Sequence, residues 1–250
     1  MKFIHISDLH YHRHSRDNKE ANKVLKYIEK NYPESHLIVT GDIVDDGHPG
    51  QYENAFKALA PFLGRLYIAP GNHDFGAAGN FFSEERARRF DKYLSEPLNQ
   101  GGTFTGDQTP VVNIVREGDT EVMLIALDTN LETEHPFDFA CGQVGERQLA
   151  ALKTQLSTAP SDLIKIVFFH HHPFMHNNPF MELTDGRQLM RALYNRVHVV
   201  CFGHKHVSGM WRNMNGIAYV LAADNAPGKD YAREITVEGK KISVSDIRIA

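Results

Sequence analysis

Cysteine is scarce in this chain, and long apolar runs are missing. Among 250 residues there are 2 cysteines, Cys141 and Cys201. Two cysteines are too few for a disulfide framework, and they do not form a zinc-binding cysteine pattern. The longest strongly apolar runs, such as residues 122–127, are far shorter than the roughly 20 residues that a membrane-spanning helix needs. The composition therefore excludes a disulfide-stapled scaffold, and we expect no membrane as a partner.

An excess of positive charge is also missing. The chain has 27 Lys and Arg against 31 Asp and Glu, with a net charge of -4 and a pI of about 6.4. Proteins that hold polymeric nucleic acid usually carry a basic face, so we expect no such partner. The densest basic cluster, residues 86–89, is typical of a solvated helix face. Because residues 1–3 lead directly into a predicted strand, we expect no signal peptide and a cytoplasmic location.

The first half of the chain alternates apolar runs with amphipathic segments. Strands are predicted over residues 2–7, 36–41 and 65–70, and helices over residues 19–31, 49–59 and 83–94. Alternation of this kind is typical of parallel strands joined by crossover helices. It predicts an α/β fold.

The second half mixes the same elements with hairpins. The pattern predicts strands over 111–117, 121–128, 164–170 and 197–203, helices over 146–156 and 185–194, and short antiparallel strands over 211–249. We find no internal repeat and no linker long enough to separate domains. We therefore expect one domain over residues 1–250, with two sheets packed face to face and helices outside.

Polar fragments follow the predicted strands. They are Asp8-Leu9-His10, Gly41-Asp42, Gly71-Asn72-His73-Asp74, His171-His172-Pro173 and Gly203-His204-Lys205-His206. Loops from neighbouring strands meet at the carboxyl ends of an α/β sheet. Carboxylate, amide and imidazole groups together can bind two divalent cations side by side. Each residue alone could be a strand-end cap or a surface residue, but five fragments in this order predict a two-metal site, and the 15 histidines of the chain favour it.

The spacing within the fragments suggests how they are used. In an extended segment, alternate side chains share one side, so Asp8 and His10 are expected to point together, as are His204 and His206. Asp42 has two carboxylate oxygens and could bridge two cations.

These motifs resemble those of the calcineurin-like metallophosphoesterase superfamily, and in particular its small cyclic-nucleotide and glycerophosphodiester phosphodiesterases. The resemblance runs from Ser7 to His206. It implies a four-layer α-β-β-α sandwich of two mixed sheets flanked by helices, with a dinuclear metal centre. The two transition-metal ions would be Mn, Fe, Zn or Co, since the ligand set suits all four.

The resemblance also implies a role for each residue of the motifs. The metal ligands would be Asp8, His10, Asp42, Asn72, His171, His204 and His206. The family's His-x-Pro pattern selects His171, and His170 is the alternative. His73 would protonate the leaving group or stabilise transition-state charge. Asp74 would orient the imidazole of His73, or otherwise cap the turn.

The implied activity is hydrolysis of a small phosphodiester, of the cyclic nucleotide or glycerophosphodiester type, by metal-bound hydroxide. The first alternative is a phosphomonoesterase on the same centre. Protein phosphatases of the superfamily have an arginine where this chain has Asp46, which argues against that branch. A DNA-repair nuclease is disfavoured by the missing basic face. A non-catalytic binding scaffold is disfavoured because all the ligand positions are filled. Oligomeric state stays open.

Several other histidines and asparagines lie near the motifs. His12 and His14 are candidates for the substrate entrance, with a solvated loop as the alternative. Candidates for substrate contact after the fourth motif are His172, His176, Asn177 and Asn178. His5 and His36 are expected to be hydrogen-bonded strand residues.

Overall fold

Two mixed β-sheets form the centre of the fold, and helices cover their outer faces. The computed structural model describes residues 1–106, 109–131, 140–174, 178, 180–225 and 229–249. Its strands and α-helices are β1 (Lys2–Ile6), α1 (Lys19–Asn31), β2 (His36–Thr40), α2 (Pro49–Leu59), β3 (Leu66–Ala69), α3 (Asn72–Phe75), β4 (Gly76–Ala77), β5 (Phe81–Phe82), α4 (Glu84–Phe90), β6 (Val111–Glu117), β7 (Thr120–Ala126), α5 (Glu146–Thr158), β8 (Ile164–Phe168), α6 (Gly186–Leu193), β9 (Val199–Phe202), β10 (Gly209–Met214), β11 (Ile217–Ala222), β12 (Tyr231–Glu238) and β13 (Lys241–Arg248).

The strand order explains why both sheets are mixed. The first sheet has the order β13-β12-β1-β2-β3, and the second has the order β10-β11-β9-β8-β7-β6. In the first sheet β1, β2 and β3 run parallel, while β12 and β13 add antiparallel strands at one edge. In the second sheet β7, β8, β9 and β11 run parallel, and β6 and β10 are antiparallel edges. The tail strands, predicted as antiparallel, differ at β11, which also pairs parallel to β9.

Alternation along β7 assigns its residues to two separate layers of the core. Val122, Leu124 and Ala126 pack between the sheets, with β1, β2 and the buried faces of α1 and α2 in the same cluster. Met123 and Ile125 point the other way and pack with the apolar faces of α5 and α6. Successive side chains of a strand point to opposite faces, so one strand serves two layers. The four-layer α-β-β-α sandwich is therefore confirmed.

The predicted elements agree with the structure except near residues 72–95. A single-turn helix, α3, and a short hairpin of β4 and β5 follow β3, in a segment where we predict no helix or strand. The helix predicted over 83–94 is α4 followed by a wide π-type turn at Asp91–Ser95. Within the described residues, no helix is both long and apolar enough to cross a membrane.

Candidate metal centre

Strands from both sheets deliver the candidate ligands to one edge of the sandwich. Asp8 and His10 follow β1, Asp42 follows β2, and Asn72 opens α3 directly after β3. The second sheet contributes residues after β8 and β9. The loops after β1 and β2 run side by side, since the N–H groups of Asp8 and His10 donate to the carbonyl oxygens of Gly41 and Asp42, at 3.1 Å and 2.9 Å.

The backbone at these loops adopts the left-handed region. The φ angles are 61° at Asp8, 48° at His10, 49° at Asp42, 75° at His204 and 50° at His206. Non-glycine residues rarely take positive φ, although Asp, Asn and His do so more readily than most. Side-chain alternation in a strand is thus not the reason that the side chains converge, contrary to our expectation. A backbone in the left-handed conformation turns each of them toward the centre.

The first cluster joins Asp8, His10, Asp42 and His206. Their candidate ligand atoms all lie within 4.8 Å of one another. The Nε2 atoms of His10 and His206 are 3.2 Å apart, and Nε2 of His206 lies 3.5 Å from Oδ1 of Asp8. Oδ2 of Asp42 is 3.8 Å from Nε2 of His10. Two carboxylates and two imidazoles therefore face one point.

The second cluster joins Asp42, His170 and His204, with their ligand atoms again within 4.8 Å. Oδ1 of Asn72 lies 3.0 Å from Nε2 of His170 and 3.1 Å from Nδ1 of His204. Nδ1 of His170 donates to the carbonyl of Thr40, and Nε2 of His204 donates to that of Met181. Because a carbonyl only accepts, these hydrogen bonds leave the inner nitrogens with lone pairs when the rings are neutral.

His170, the alternative that the sequence left open, is the histidine in this cluster. Its Nε2 lies 3.2 Å from Oδ2 of Asp42. The ring of His171 packs beside that of His204, with centroids 4.5 Å apart. Its Nδ1 is 2.8 Å from Oγ1 of Thr129. The structure therefore brings six of the seven predicted ligands together, and His170 joins them. The seventh, His171, lies outside both clusters.

The donor set fits two metal ions. Oδ2 of Asp8 is buried and has no hydrogen-bond partner among the described residues, so this carboxylate oxygen is left without a compensating contact. A Cβ on Gly203 would lie 2.6 Å from that oxygen and 1.9 Å from Oγ of Ser7, so only glycine fits there. An uncompensated buried carboxylate is costly, and a cation removes the cost.

The pKa shifts of the clustered residues reflect burial and the charges of their neighbours. Burial lowers the pKa of His170, but the nearby charge of Asp42 outweighs it and raises that pKa to about 9. Burial and the neighbouring His170 lower the pKa of His204 to about 3. Burial would raise the pKa of Asp42, yet His170 and His73 hold it well below its usual range. A centre that favours positive charge and a neutral imidazole suits metal ions, which compete with protons for these atoms.

A family model described as calcineurin-like phosphoesterase matches residues 1–208. The chain belongs to this family. A probable cyclic nucleotide phosphodiesterase of Rhodopseudomonas palustris is 26% identical over 274 residues, covering 98% of this chain and 91% of the relative. A glycerophosphodiester phosphodiesterase of Enterobacter lignolyticus is 27% identical over 227 residues, covering 82% of this chain and 71% of the relative.

Solved structures agree on the fold of this calcineurin-like phosphoesterase. A dimetal phosphatase from Danio rerio superposes with a TM-score of 0.63 at 17% identity, covering 100% of this chain and 99% of the other. A purple acid phosphatase from yellow lupin seeds gives 0.69 at 11% identity, covering 99% of this chain and 51% of the other. At these identities the likeness shows the architecture alone.

His73 lies at the rim of the phosphoesterase site, with its side chain 25% exposed. Its backbone N–H donates to Oδ1 of Asp42 at 3.0 Å. Its Nδ1 donates to the carbonyl oxygen of Asp45 at 2.7 Å, so Nε2 is the ring nitrogen that takes no part in this hydrogen bond. The ring packs edge-on against His10, with centroids 4.6 Å apart.

Asp45 is a site residue that the sequence reasoning missed. Its carboxylate lies 3.6 Å from Nδ1 of His10 and 3.3 Å from Nδ1 of His12. It thereby orients the outer nitrogen of a candidate ligand, as carboxylates behind metal-bound histidines commonly do. The available signal was the Asp-x-x-Asp spacing from Asp42.

Asp74 contacts the backbone of the turn. The carboxylate is fully buried and accepts from the N–H groups of Ile43, Val44 and Gly71, at 3.3, 2.8 and 2.8 Å. Burial and the charge of Asp42 raise its pKa to about 7. These contacts match the turn-capping alternative for Asp74, and the carbonyl of Asp45 orients His73 in its place.

Replacing Asp74 with alanine should lower the free energy of unfolding by about 3 kcal/mol, because buried N–H donors then lose their acceptor. Urea unfolding of the metal-free protein measures this directly. The control is Asp46→Ala, since Asp46 pairs with Arg86 and Arg13 at 3.6 and 3.9 Å in a partly exposed position. That change should cost less than about 1 kcal/mol. Equal stability of the two variants would contradict the capping role.

The remaining candidate residues for substrate contact lie either at the rim of the site or in the hydrophobic core. His12 lies beside Asp45, with its side chain 37% exposed, whereas His14 is exposed. His172 is 8% exposed and packs against Phe202 and Trp211. His176 and Asn177 lie outside the described residues.

The two strand histidines have different surroundings. Nε2 of His5 is 3.0 Å from Oγ1 of Thr40, which confirms a hydrogen-bonded strand residue. The ring of His36 stacks on Phe3, and its Nδ1 is buried without a hydrogen-bond partner among the described residues.

Proposed function

We propose that this phosphoesterase is a two-metal phosphodiesterase that hydrolyses small diesters. The observation that carries the proposal is that Asp42 belongs to both clusters of candidate ligands. Two adjacent cations are commonly joined by a bridging ligand, and a carboxylate common to both clusters has the two oxygens to bridge them. The chain would be an enzyme rather than a scaffold, because every ligand type is present and convergent.

The ligand assignment follows the two clusters. The first ion would be held by Asp8, His10, Asp42 and His206. The second would be held by Asp42, Asn72, His170 and His204. A nitrogen and oxygen donor set of this kind suits Mn, Fe, Zn or Co.

Two bound cations supply Lewis acidity to the phosphate oxygens and lower the pKa of water. The chain itself supplies a proton at His73. Since Nδ1 of this ring donates to the Asp45 carbonyl, a proton at Nε2 makes the ring an imidazolium. That cation stabilises the charge that develops on the phosphoryl oxygens, and it can transfer the Nε2 proton to the departing alkoxide.

Two observations favour a diester over a monoester. The similar proteins from Rhodopseudomonas palustris and Enterobacter lignolyticus are both named as phosphodiesterases. In addition, Asp46 pairs with Arg86 and Arg13 beside the site. Asp46 itself is an acidic residue at the position where the phosphatase branch has an arginine, so it offers no guanidinium to bind a dianionic monoester.

Paired turnover of bis(p-nitrophenyl) phosphate and p-nitrophenyl phosphate tests the proposal. With Mn²⁺ added, we expect kcat/KM for the diester to exceed that for the monoester by about tenfold or more. EDTA should abolish both activities, and Mn²⁺ should restore them. A preference for the monoester would move the protein to the phosphatase alternative. Turnover that survives EDTA would contradict a metal centre.

A further inference from the structure

The hairpin of β4 and β5 lies directly on the candidate active site. Its tip, Gly79, accepts a hydrogen bond from Nδ2 of Asn72 at 2.7 Å. A Cβ at Gly79 would come within 2.5 Å of Nε2 of His73 and within 2.7 Å of Nδ2 of Asn72. The hairpin tip thus touches both the proposed proton donor and a proposed metal ligand. With φ at +69°, Gly79 also occupies a conformation that other residues rarely take.

The two phenylalanines of β5 lie on opposite faces of this hairpin. Phe82 pairs with Gly76, and Phe81 pairs with Ala77. Phe82 packs edge-on against the buried Phe75, with ring centroids 6.3 Å apart. Adjacent residues of a strand point to opposite faces, so Phe81 points away from that core. Phe81 is accordingly 67% exposed, the largest exposed fraction among the large hydrophobic residues that the structure describes.

An exposed phenylalanine on a rigid hairpin beside the candidate phosphate site is placed to contact another part of the substrate. The hairpin is closed by hydrogen bonds from the N–H groups of Gly79 and Asn80 to the carbonyls of Gly76 and Ala77, and it is anchored by Asn72. Phe81 is two residues from the tip, which is a distance of about 7 Å along a strand. A nucleobase lies at a comparable distance from its own phosphate.

We propose that Phe81 is a specificity-determining residue, which stacks on a planar aromatic ring carried by one ester group of the substrate. The inference rests on the proposed phosphodiesterase function and deepens it. It selects diesters that carry a nucleobase over diesters of glycerol. An aromatic side chain stacks on any base, because every base has a π face, so the ring identifies the class of substrate and not the particular base.

The test compares two diesters in the Mn²⁺-loaded protein. Adenosine 3′,5′-cyclic monophosphate carries a base, and glycerophosphoethanolamine does not. Phe81→Ala should lower kcat/KM for the cyclic nucleotide about tenfold, mainly through KM, while the glycerol diester changes less than about twofold. Phe81→Tyr should retain both activities, since its ring also stacks. Tyr194→Ala removes another exposed aromatic, 55% exposed and directly after α6, outside the hairpin and both ligand clusters, and should change neither activity.

A binding measurement separates this inference from the proposed function. Titration of adenosine 5′-monophosphate and of inorganic phosphate into the loaded protein requires no turnover. Phe81→Ala should weaken the nucleotide about tenfold and leave phosphate unchanged. If the wild type hydrolyses neither diester, the proposed function fails, and this titration still decides the role of Phe81.

Two outcomes would overturn the role of Phe81. One is equal weakening of nucleotide and phosphate, which would mean that the hairpin only supports His73. The other is unchanged nucleotide affinity, and a change of oligomeric state on light scattering would then make Phe81 a contact between copies of the chain.

Discussion

Asp42→Asn is expected to lower kcat for a phosphodiester about a thousandfold or more, and to leave the fold intact. Asp42 is common to both clusters, and an amide has one oxygen and no charge with which to hold two cations. Charge stabilisation by such ions contributes several kcal/mol, and each 1.36 kcal/mol is tenfold in rate. Turnover of bis(p-nitrophenyl) phosphate with Mn²⁺ measures the effect, and circular dichroism checks the fold.

The matched control for this change is Asp46→Asn. Asp46 lies in the same loop and forms ion pairs with Arg86 and Arg13, outside both clusters. Its kcat should stay within about threefold of the wild type, because partly exposed ion pairs contribute little. Similar kcat values for Asp42→Asn and the wild type would contradict the bridging role of Asp42.

His170→Gln is expected to release about one metal ion per chain and to lower kcat about a hundredfold or more. Nε2 of His170 lies within 3.2 Å of both Oδ2 of Asp42 and Oδ1 of Asn72, so its loss opens the second cluster. Removing a residue that only supports a ligand costs 10–100-fold, and removal of a ligand should cost at least the upper end of that range. Elemental analysis of protein dialysed against Mn²⁺ gives the stoichiometry.

His171→Gln is the neighbouring control, with the same change of chemistry one residue away. His171 contacts Thr129 and the ring of His204, so we expect both ions to be retained and kcat to fall about tenfold, at the lower end of the range for a supporting residue. Melting temperatures of both variants show whether either loses its fold. Loss of an ion from His171→Gln but not from His170→Gln would reverse the assignment and restore the family's His-x-Pro reading.

The fold could be predicted from the sequence because its signals are local. The apolar run that ends at Ile6 and the amphipathic pattern over Lys19–Asn31 specify a strand and a helix without knowledge of the rest of the chain. The hairpin of β4 and β5 could not be predicted. It has two residues per strand, and it is held by contacts of Gly79 with Asn72 and His73 rather than by periodicity.

The site was predictable as a set of residue types, but not as a geometry. Asp8 and Asp42 are separated in the chain by α1 and β2, and the parallel pairing of β1 with β2 brings them together. Three consecutive histidines follow β8, and the sequence does not tell which ring faces Asp42. A hydrogen bond from Nδ1 of His170 to the Thr40 carbonyl decides it, across the two sheets.

The left-handed backbone at five candidate ligands has a consequence for the evolution of this protein. Each such residue costs of order 1–3 kcal/mol of conformational strain, which glycine would relieve. The positions are Asp8, His10, Asp42, His204 and His206. A selection for heat resistance carried out without metal would therefore enrich glycine at these sites. The selected proteins would have higher melting temperatures but would lack the metal ligands. Survival of the five side chains in such a lineage depends on selection for the bound ions.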